Sequence, residues 1–248
     1  MTSTTCASGW KSYRVALRQE EGRGIISLFL KPSDDNFPPI FTAGQYVNLR
    51  LPDMTSRAYF LTGPSEDRML RITVEIGDEP HLGTLGYLAK LHIDDEVFLS
   101  APYGNFTLEP GDTPIVIITE GIGSIAATAF LSEMAVASPL RKVSVLCQVM
   151  NGKRFALADE IRKLVTLLPN AGLACFFTRP LMSETAGKDY DVAGPITVAN
   201  VRSVCIAPDA DFYITGSQAF VDGLKKDLEA LGLIHSRIHT QTLTADKP

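Results

Sequence analysis

Pro110-Gly111-Asp112-Thr113-Pro114-Ile115-Val116-Ile117-Ile118 divides this 248-residue chain into halves that read differently. Two prolines and a glycine within five positions interrupt regular structure, and four β-branched residues follow without a polar one between them. An unbroken run of this kind suits a strand buried on both faces, as in a parallel sheet. Mostly apolar runs recur at Val143–Val149, Leu173–Phe177 and Phe212–Ile214, with helical stretches between them. The clearest helix is Ser217–Leu231, where Phe220, Val221, Leu224, Leu228 and Leu231 share a face, Ser217 offers an N-cap and Gly232 a stop. Strand–helix alternation predicts an open α/β sheet downstream of the break.

Upstream, the period is two. Tyr13-Arg14-Val15-Ala16-Leu17, Tyr46-Val47-Asn48-Leu49-Arg50-Leu51 and Leu70-Arg71-Ile72-Thr73-Val74-Glu75-Ile76 alternate between apolar and polar, and turn residues such as Pro32-Ser33-Asp34-Asp35 separate such runs. That pattern predicts an antiparallel sheet or barrel. One short helix interrupts it at Thr84–Leu91, with Leu85, Leu88 and Ala89 on one face. The expected organisation is a polar tail over residues 1–9, a β-barrel over 10–110 and an α/β domain over 111–248, with a polar excursion at 180–195.

Composition narrows the function. With 45% hydrophobic and 21% charged residues, the chain can bury a sizeable core. A net charge of −5 without a Lys/Arg run argues against a nucleic-acid binder. Cys6, Cys147, Cys175 and Cys205 are scattered, so neither zinc, an iron–sulfur cluster nor a disulfide framework is expected, and no metal ligand is assigned. His235 and His239 lie four apart, but their segment alternates like a strand and brings no third ligand. Met1 to Gly9 lacks the basic-then-apolar pattern of a signal sequence, and no apolar run approaches the ~20 residues of a membrane helix. A cytoplasmic location without membrane contact is the expectation.

A β-barrel followed by a nucleotide-type α/β domain resembles the ferredoxin–NADP reductase superfamily. Gly9-Trp10-Lys11-Ser12-Tyr13-Arg14-Val15, Ala43-Gly44-Gln45-Tyr46-Val47 and Ser100-Ala101-Pro102-Tyr103-Gly104-Asn105-Phe106 are similar to the flavin domain of flavohaemoglobins, and Asp211-Phe212-Tyr213-Ile214-Thr215-Gly216 to their nicotinamide-binding segment. The resemblance runs from Gly9 to Gln241 and implies a Greek-key barrel, bound FAD, and NADPH or NADH as the electron source. Arg57-Ala58-Tyr59-Phe60 stands at the family's Arg-x-Tyr-Ser flavin signature. Gly83-Thr84-Leu85-Gly86 opens the helix expected at the flavin diphosphate. Glu120-Gly121-Ile122-Gly123-Ser124-Ile125-Ala126 stands at the Gly-rich turn, and Thr215-Gly216-Ser217 at the family's Cys-Gly-Pro. The implied cofactor-binding residues are therefore Arg57, Tyr59, Phe60, Gly83, Thr84, Gly86, Gly121, Gly123, Ser124, Thr215 and Gly216. No catalytic side chain is assigned.

Several of these positions depart from the family pattern. Phe60 replaces a serine and cannot donate a hydrogen bond. Glu75 stands where a lysine is usual, and Glu120 brings negative charge beside a helix N-terminus that would otherwise receive a pyrophosphate. Ile125 and Ala126 replace threonine and proline, while Gln241 and Leu243 replace the terminal glutamate and an aromatic residue. The resemblance implies an NAD(P)H:acceptor oxidoreductase, passing electrons through FAD to a separate acceptor protein or small-molecule substrate. The departures leave open a second reading: a repurposed scaffold whose apolar interdomain cleft takes a small-molecule ligand or hosts a non-redox reaction. A regulatory protein with an empty site is a third.

Overall fold

The computed structural model describes residues 9–63, 68–78, 83–204 and 209–243; Cys6, Cys205 and the tail before Gly9 lie outside them. The chain divides into two units between Leu108 and Glu109.

The first unit is built from β1 (Lys11–Gly22), β2 (Ile25–Pro32), β3 (Tyr46–Arg50), β4 (Ser56–Thr62), β5 (Leu70–Glu75), α1 (Gly83–Ala89) and β6 (Glu96–Leu99). The strands close a barrel in the order β1-β2-β5-β4-β3-β6, with β1 antiparallel to both β2 and β6. This is the Greek-key barrel that the alternating runs and the resemblance imply. Val15, Leu28, Leu30, Val47, Leu49, Ile72, Val97 and Leu99 fill its interior and Leu88 of α1 joins them; burial of each such side chain contributes about 1.5–3 kcal/mol. The alternation of β1 breaks in one place. A register shift between Val15 and Leu17 turns Leu17 outward, to 43% exposure, because the extra residue of a bulge reverses the faces beyond it.

The second unit contains β7 (Ile115–Glu120), α2 (Ser124–Ala137), β8 (Val143–Val149), α3 (Ala158–Leu167), β9 (Ala171–Phe177), β10 (Val192–Ala193), α4 (Val198–Val204), β11 (Asp211–Gly216), α5 (Gln218–Ala230) and β12 (Ile238–Thr242). All six strands are parallel, in the order β10-β9-β8-β7-β11-β12. Helices cover both faces, as the unbroken apolar strands require. Val116, Ile118, Phe212 and Ile214 belong to the core cluster that includes Val221, Leu224 and Leu228 of α5. The alternate residues face the other way, where the Phe130 ring of α2 meets Tyr213 edge-on at 5.2 Å. Buried Arg141 donates to the carbonyls of Thr113 and Glu109, fixing the segment that leads into β7.

α5 ends as its sequence suggests. The Ser217 hydroxyl accepts from the Phe220 N–H, and Gly232, at φ +87°, closes a Schellman motif with Gly232 N–H to Glu229 O and Leu233 N–H to Leu228 O. Val221, Leu224 and Leu228 are buried, whereas Leu231 lies past the last turn and is exposed.

Candidate functional site

In an open parallel sheet, ligands bind outside the carboxyl ends of the strands where the strand order reverses. Here that point lies between β7 and β11. From β7 the chain adds β8, β9 and β10 on one side, then returns to place β11 and β12 on the other. Thr119 pairs with Thr215 across the junction, so Glu120-Gly121 and Gly216-Ser217 emerge side by side.

Glycine is required at both exits. Gly121, at φ +57°, starts a 3₁₀ turn over Gly121–Gly123 that leads into α2. A Cβ on Gly123 would stand 3.0 Å from the Thr215 carbonyl oxygen and 3.2 Å from Thr215 Cγ2, so this turn lies directly on β11. On the other exit, a Cβ on Gly216 would meet Glu120 Cβ at 2.7 Å and Phe220 Cδ1 at 2.9 Å.

Glu120 bridges the two exits. Its carboxylate accepts the Ser217 backbone N–H at 3.0 Å, the Ser217 hydroxyl, and the Gln148 side-chain amide at 3.1 Å. Gln148 in turn accepts the Ile196 N–H at 2.7 Å, extending the chain of bonds across the carboxyl edge of the sheet. The helix N-terminus that Glu120 serves is that of α5, not that of α2, which begins four residues further along its own strand–turn connection. The first N–H beyond β11 and a carboxylate are favourable partners there, because an anion offsets the positive end of the helix dipole.

The other candidates from this half are distributed around that bridge. The buried Ser124 hydroxyl donates to Ala156 O at 3.1 Å, tying α2 to the segment before α3. Thr215 is fully buried and its hydroxyl has no hydrogen-bond partner among the described residues. Gln241 of β12 pairs with Thr215 of β11, its side-chain amide donating to Thr242 O, and Leu243 N–H bonds Gly216 O. His239 stacks on Tyr213 at 4.5 Å, while His235 pairs with Glu229 at 2.8 Å, so the two histidines have separate partners. Cys147 and Cys175 sit opposite each other on β8 and β9; burial pushes their thiols up to about 12 and about 11.

In the barrel, Arg57 and Tyr59 follow the strand period on one face of β4. Arg57 is exposed and donates to Ser56 O, whereas Tyr59 is half-buried against the barrel core. Phe60 points to the opposite face. It is buried opposite Tyr46, with ring centroids 6.3 Å apart, and against Phe106 at 6.2 Å. Tyr46 and Tyr103 exchange backbone hydrogen bonds and their rings meet at 4.2 Å. A Cβ on Gly104 would fall 2.4 Å from the Tyr46 ring, so Gly104 is what lets the 100–106 segment lie over it. This aromatic cluster was not expected as a unit, although three of its members lie in the stretches that carried the family resemblance. Glu75 is exposed at the end of β5, Gly83 has φ +63° with no described residue within 4 Å of where a Cβ would be, Thr84 is half-buried and Gly86 is buried in α1.

These residues fit a flavin dinucleotide in part. An exposed guanidinium and a half-open phenol ring on one face suit a phosphate and a flat ring system. Phe60 supplies packing and no hydroxyl.

The chain is similar to the flavohemoprotein of Rhizobium meliloti, with 32% identity over 250 residues, covering 96% of this chain and 62% of that protein. The flavohemoprotein of Chromobacterium violaceum is 31% identical over 243 residues, covering 94% and 60%. The chain thus spans roughly three fifths of the length of the relatives it matches. Among solved structures, the flavohem-like FAD/NAD-binding domain of nitric oxide dioxygenase from Vibrio cholerae superposes with a TM-score of 0.82 at 26% identity, covering 94% of this chain and 98% of that one. Flavohemoglobin from Malassezia yamatoensis, with bound FAD and heme, gives the same TM-score at 21% identity, a likeness of fold. No family model matches. Among the described residues no helix is long and apolar enough to cross a membrane.

Proposed function

We propose that this chain, which belongs to the ferredoxin–NADP reductase superfamily beside the FAD/NAD-binding part of flavohaemoglobins, is a flavin-dependent reductase that takes electrons from NAD(P)H and delivers them to a separate acceptor. The similarity to an FAD/NAD-binding domain over 94% of the chain is the observation that carries the proposal. FAD, when bound, supplies the conversion of a hydride's electron pair into electrons that an acceptor can take singly.

The protein's part is geometry and electrostatics. Arg57 offers a planar set of N–H donors that matches two phosphate oxygens at once, which a lysine could not do. Tyr59, anchored on the barrel core, presents a rigid face for a ring to pack on. Gly121 and Gly123 allow the chain after β7 to turn sharply at the carboxyl edge of the sheet, where a nicotinamide dinucleotide would approach. Thr84 and Gly86 belong to the short helix α1, and Gly83 starts it with a left-handed backbone. Thr215 and Gly216 form the floor of the β7–β11 junction.

For the acceptor we propose a one-electron carrier bearing haem or an iron–sulfur centre. Support comes from structural relatives joined to such groups: the Malassezia protein contains heme, and phthalate dioxygenase reductase is described as passing electrons from pyridine nucleotides to a [2Fe–2S] centre.

The deciding experiment is the visible absorption spectrum of the freshly purified protein before and after anaerobic NADH or NADPH. A flavin spectrum that bleaches is the expected result. A colourless protein that takes up no added FAD, or a flavin that ignores both nucleotides, overturns the proposal.

A further inference from the structure

We infer that Glu120 sets how tightly the β7–β11 junction accepts a nicotinamide dinucleotide, because its own carboxylate fills that crevice and uses the donors at the start of α5. The inference rests on the reductase reading above, and adds to it a residue that governs affinity.

Three observations converge on Glu120. It stands at the carboxyl end of β7, at the one place where the strand order reverses, which is where ligands of open α/β sheets bind. Its carboxylate spans the crevice to Ser217 N–H and the Ser217 hydroxyl, and is held from the other side by Gln148. The space is filled as well as bridged: Glu120 Cβ lies where any side chain at position 216 would have to go.

A tethered carboxylate in this position opposes a dinucleotide in three ways. It occupies volume, it satisfies the N–H that a ligand oxygen would otherwise approach, and it repels a pyrophosphate at close range. A ligand must therefore displace Glu120 from Ser217, and the cost of that displacement is subtracted from its binding.

The backbone at Glu120 is extended, with φ −123° and ψ 133°, so smaller residues fit without strain. Ser217 is exposed, so water can satisfy its N–H once the carboxylate is gone. Glu120→Gly removes volume and charge; Glu120→Gln keeps the shape and removes the charge.

The test is calorimetric titration of the full chain, as purified, with NAD⁺ and NADP⁺, which cannot reduce a flavin. FAD content and thermal midpoint are recorded for each variant. Glu120→Gly is expected to tighten the dissociation constant on the order of tenfold or more, with Glu120→Gln between it and the parent and FAD content unchanged. Equal affinities in parent and variants overturn the role of Glu120 and leave the reductase reading standing. If Glu120→Gly does not fold, an unchanged affinity in Glu120→Gln is enough to overturn it. If no form binds either nucleotide, the inference fails, and the bleaching experiment decides separately whether the reductase reading fails with it.

Discussion

Gly123 rests on the main chain of Thr215, so close that a single added methyl carbon would lie 3.0 Å from the Thr215 carbonyl oxygen. The contact joins the turn after β7 to the strand beside it, and backbone rather than a movable side chain stands in the way. Gly123→Ala should therefore destabilise the protein by about 1–3 kcal/mol, the usual cost of overpacking. Thermal or urea denaturation checks this; a variant as stable as the parent would mean that the turn shifts freely.

Gly216 and Glu120 should be coupled energetically. Gly216→Ala places a carbon 2.7 Å from Glu120 Cβ and is expected to destabilise. In a Glu120→Gly background that obstacle is gone, while the Phe220 ring stays close. A double-mutant cycle should return a coupling of about 0.5–3 kcal/mol, in the sense that the second substitution relieves the first. Simple additivity would contradict the packing described.

Phe60 is a packing residue of the barrel. Phe60→Ser removes a buried ring from between Tyr46 and Phe106 and should cost about 3–5 kcal/mol. Phe60→Leu, which keeps most of the volume, should cost much less. Denaturant midpoints of the two variants compare them directly.

Arg57 behaves in the opposite way if it meets a phosphate. The side chain is exposed, so Arg57→Ala should shift stability by no more than about 0.5 kcal/mol. FAD affinity, followed by flavin fluorescence during titration of the apoprotein, should fall on the order of tenfold or more. Unchanged FAD affinity would remove Arg57 from the site.

Alkali should unfold the protein through its buried acids. Burial raises Cys147 from 9.0 to about 12, Cys175 from 9.0 to about 11, and Tyr13 from 10.0 to about 12. A group with a raised folded-state value stabilises fully below its unfolded value and loses that contribution as pH climbs to the folded one. The contribution of these three groups should accordingly be level below about pH 9 and be lost between about pH 9 and 12. Cys147→Ala should flatten part of that fall, and native protein at pH 8 should resist thiol reagents at both positions, as site-resolved mass spectrometry would show.

The fold was legible wherever pattern is local. Val143–Val149 forms β8 with the boundaries its apolar run suggests, and Ser217 and Gly232 mark the two ends of α5 through bonds made within a few residues. α2 left no amphipathic trace because it is buried almost all round: from Ser124 to Leu131 every residue is enclosed. β10, at two residues, is too short to carry a period. For the site, the carboxylate at position 120 was visible as an intruder among glycines, but the helix it meets was not. That pairing depends on β11 docking beside β7, and no spacing along the chain encodes it. Phe60 was visible as a missing hydroxyl; its partner Tyr46 comes from the register of β3 and β4, and Phe106 arrives on a separate segment.

The reversal of strand order also dictates when the crevice can exist. β7 is the first strand of its unit to be made, and β8 and β9 can pair beside it while the rest is still being synthesised. Ser217 follows Glu120 by 97 positions, so the two walls meet only after nearly the whole unit has been translated. Closing so long a loop is slow relative to local pairing. The nascent protein therefore forms the Glu120 wall of the crevice first, and the Ser217 wall closes against it as one of the last acts of folding.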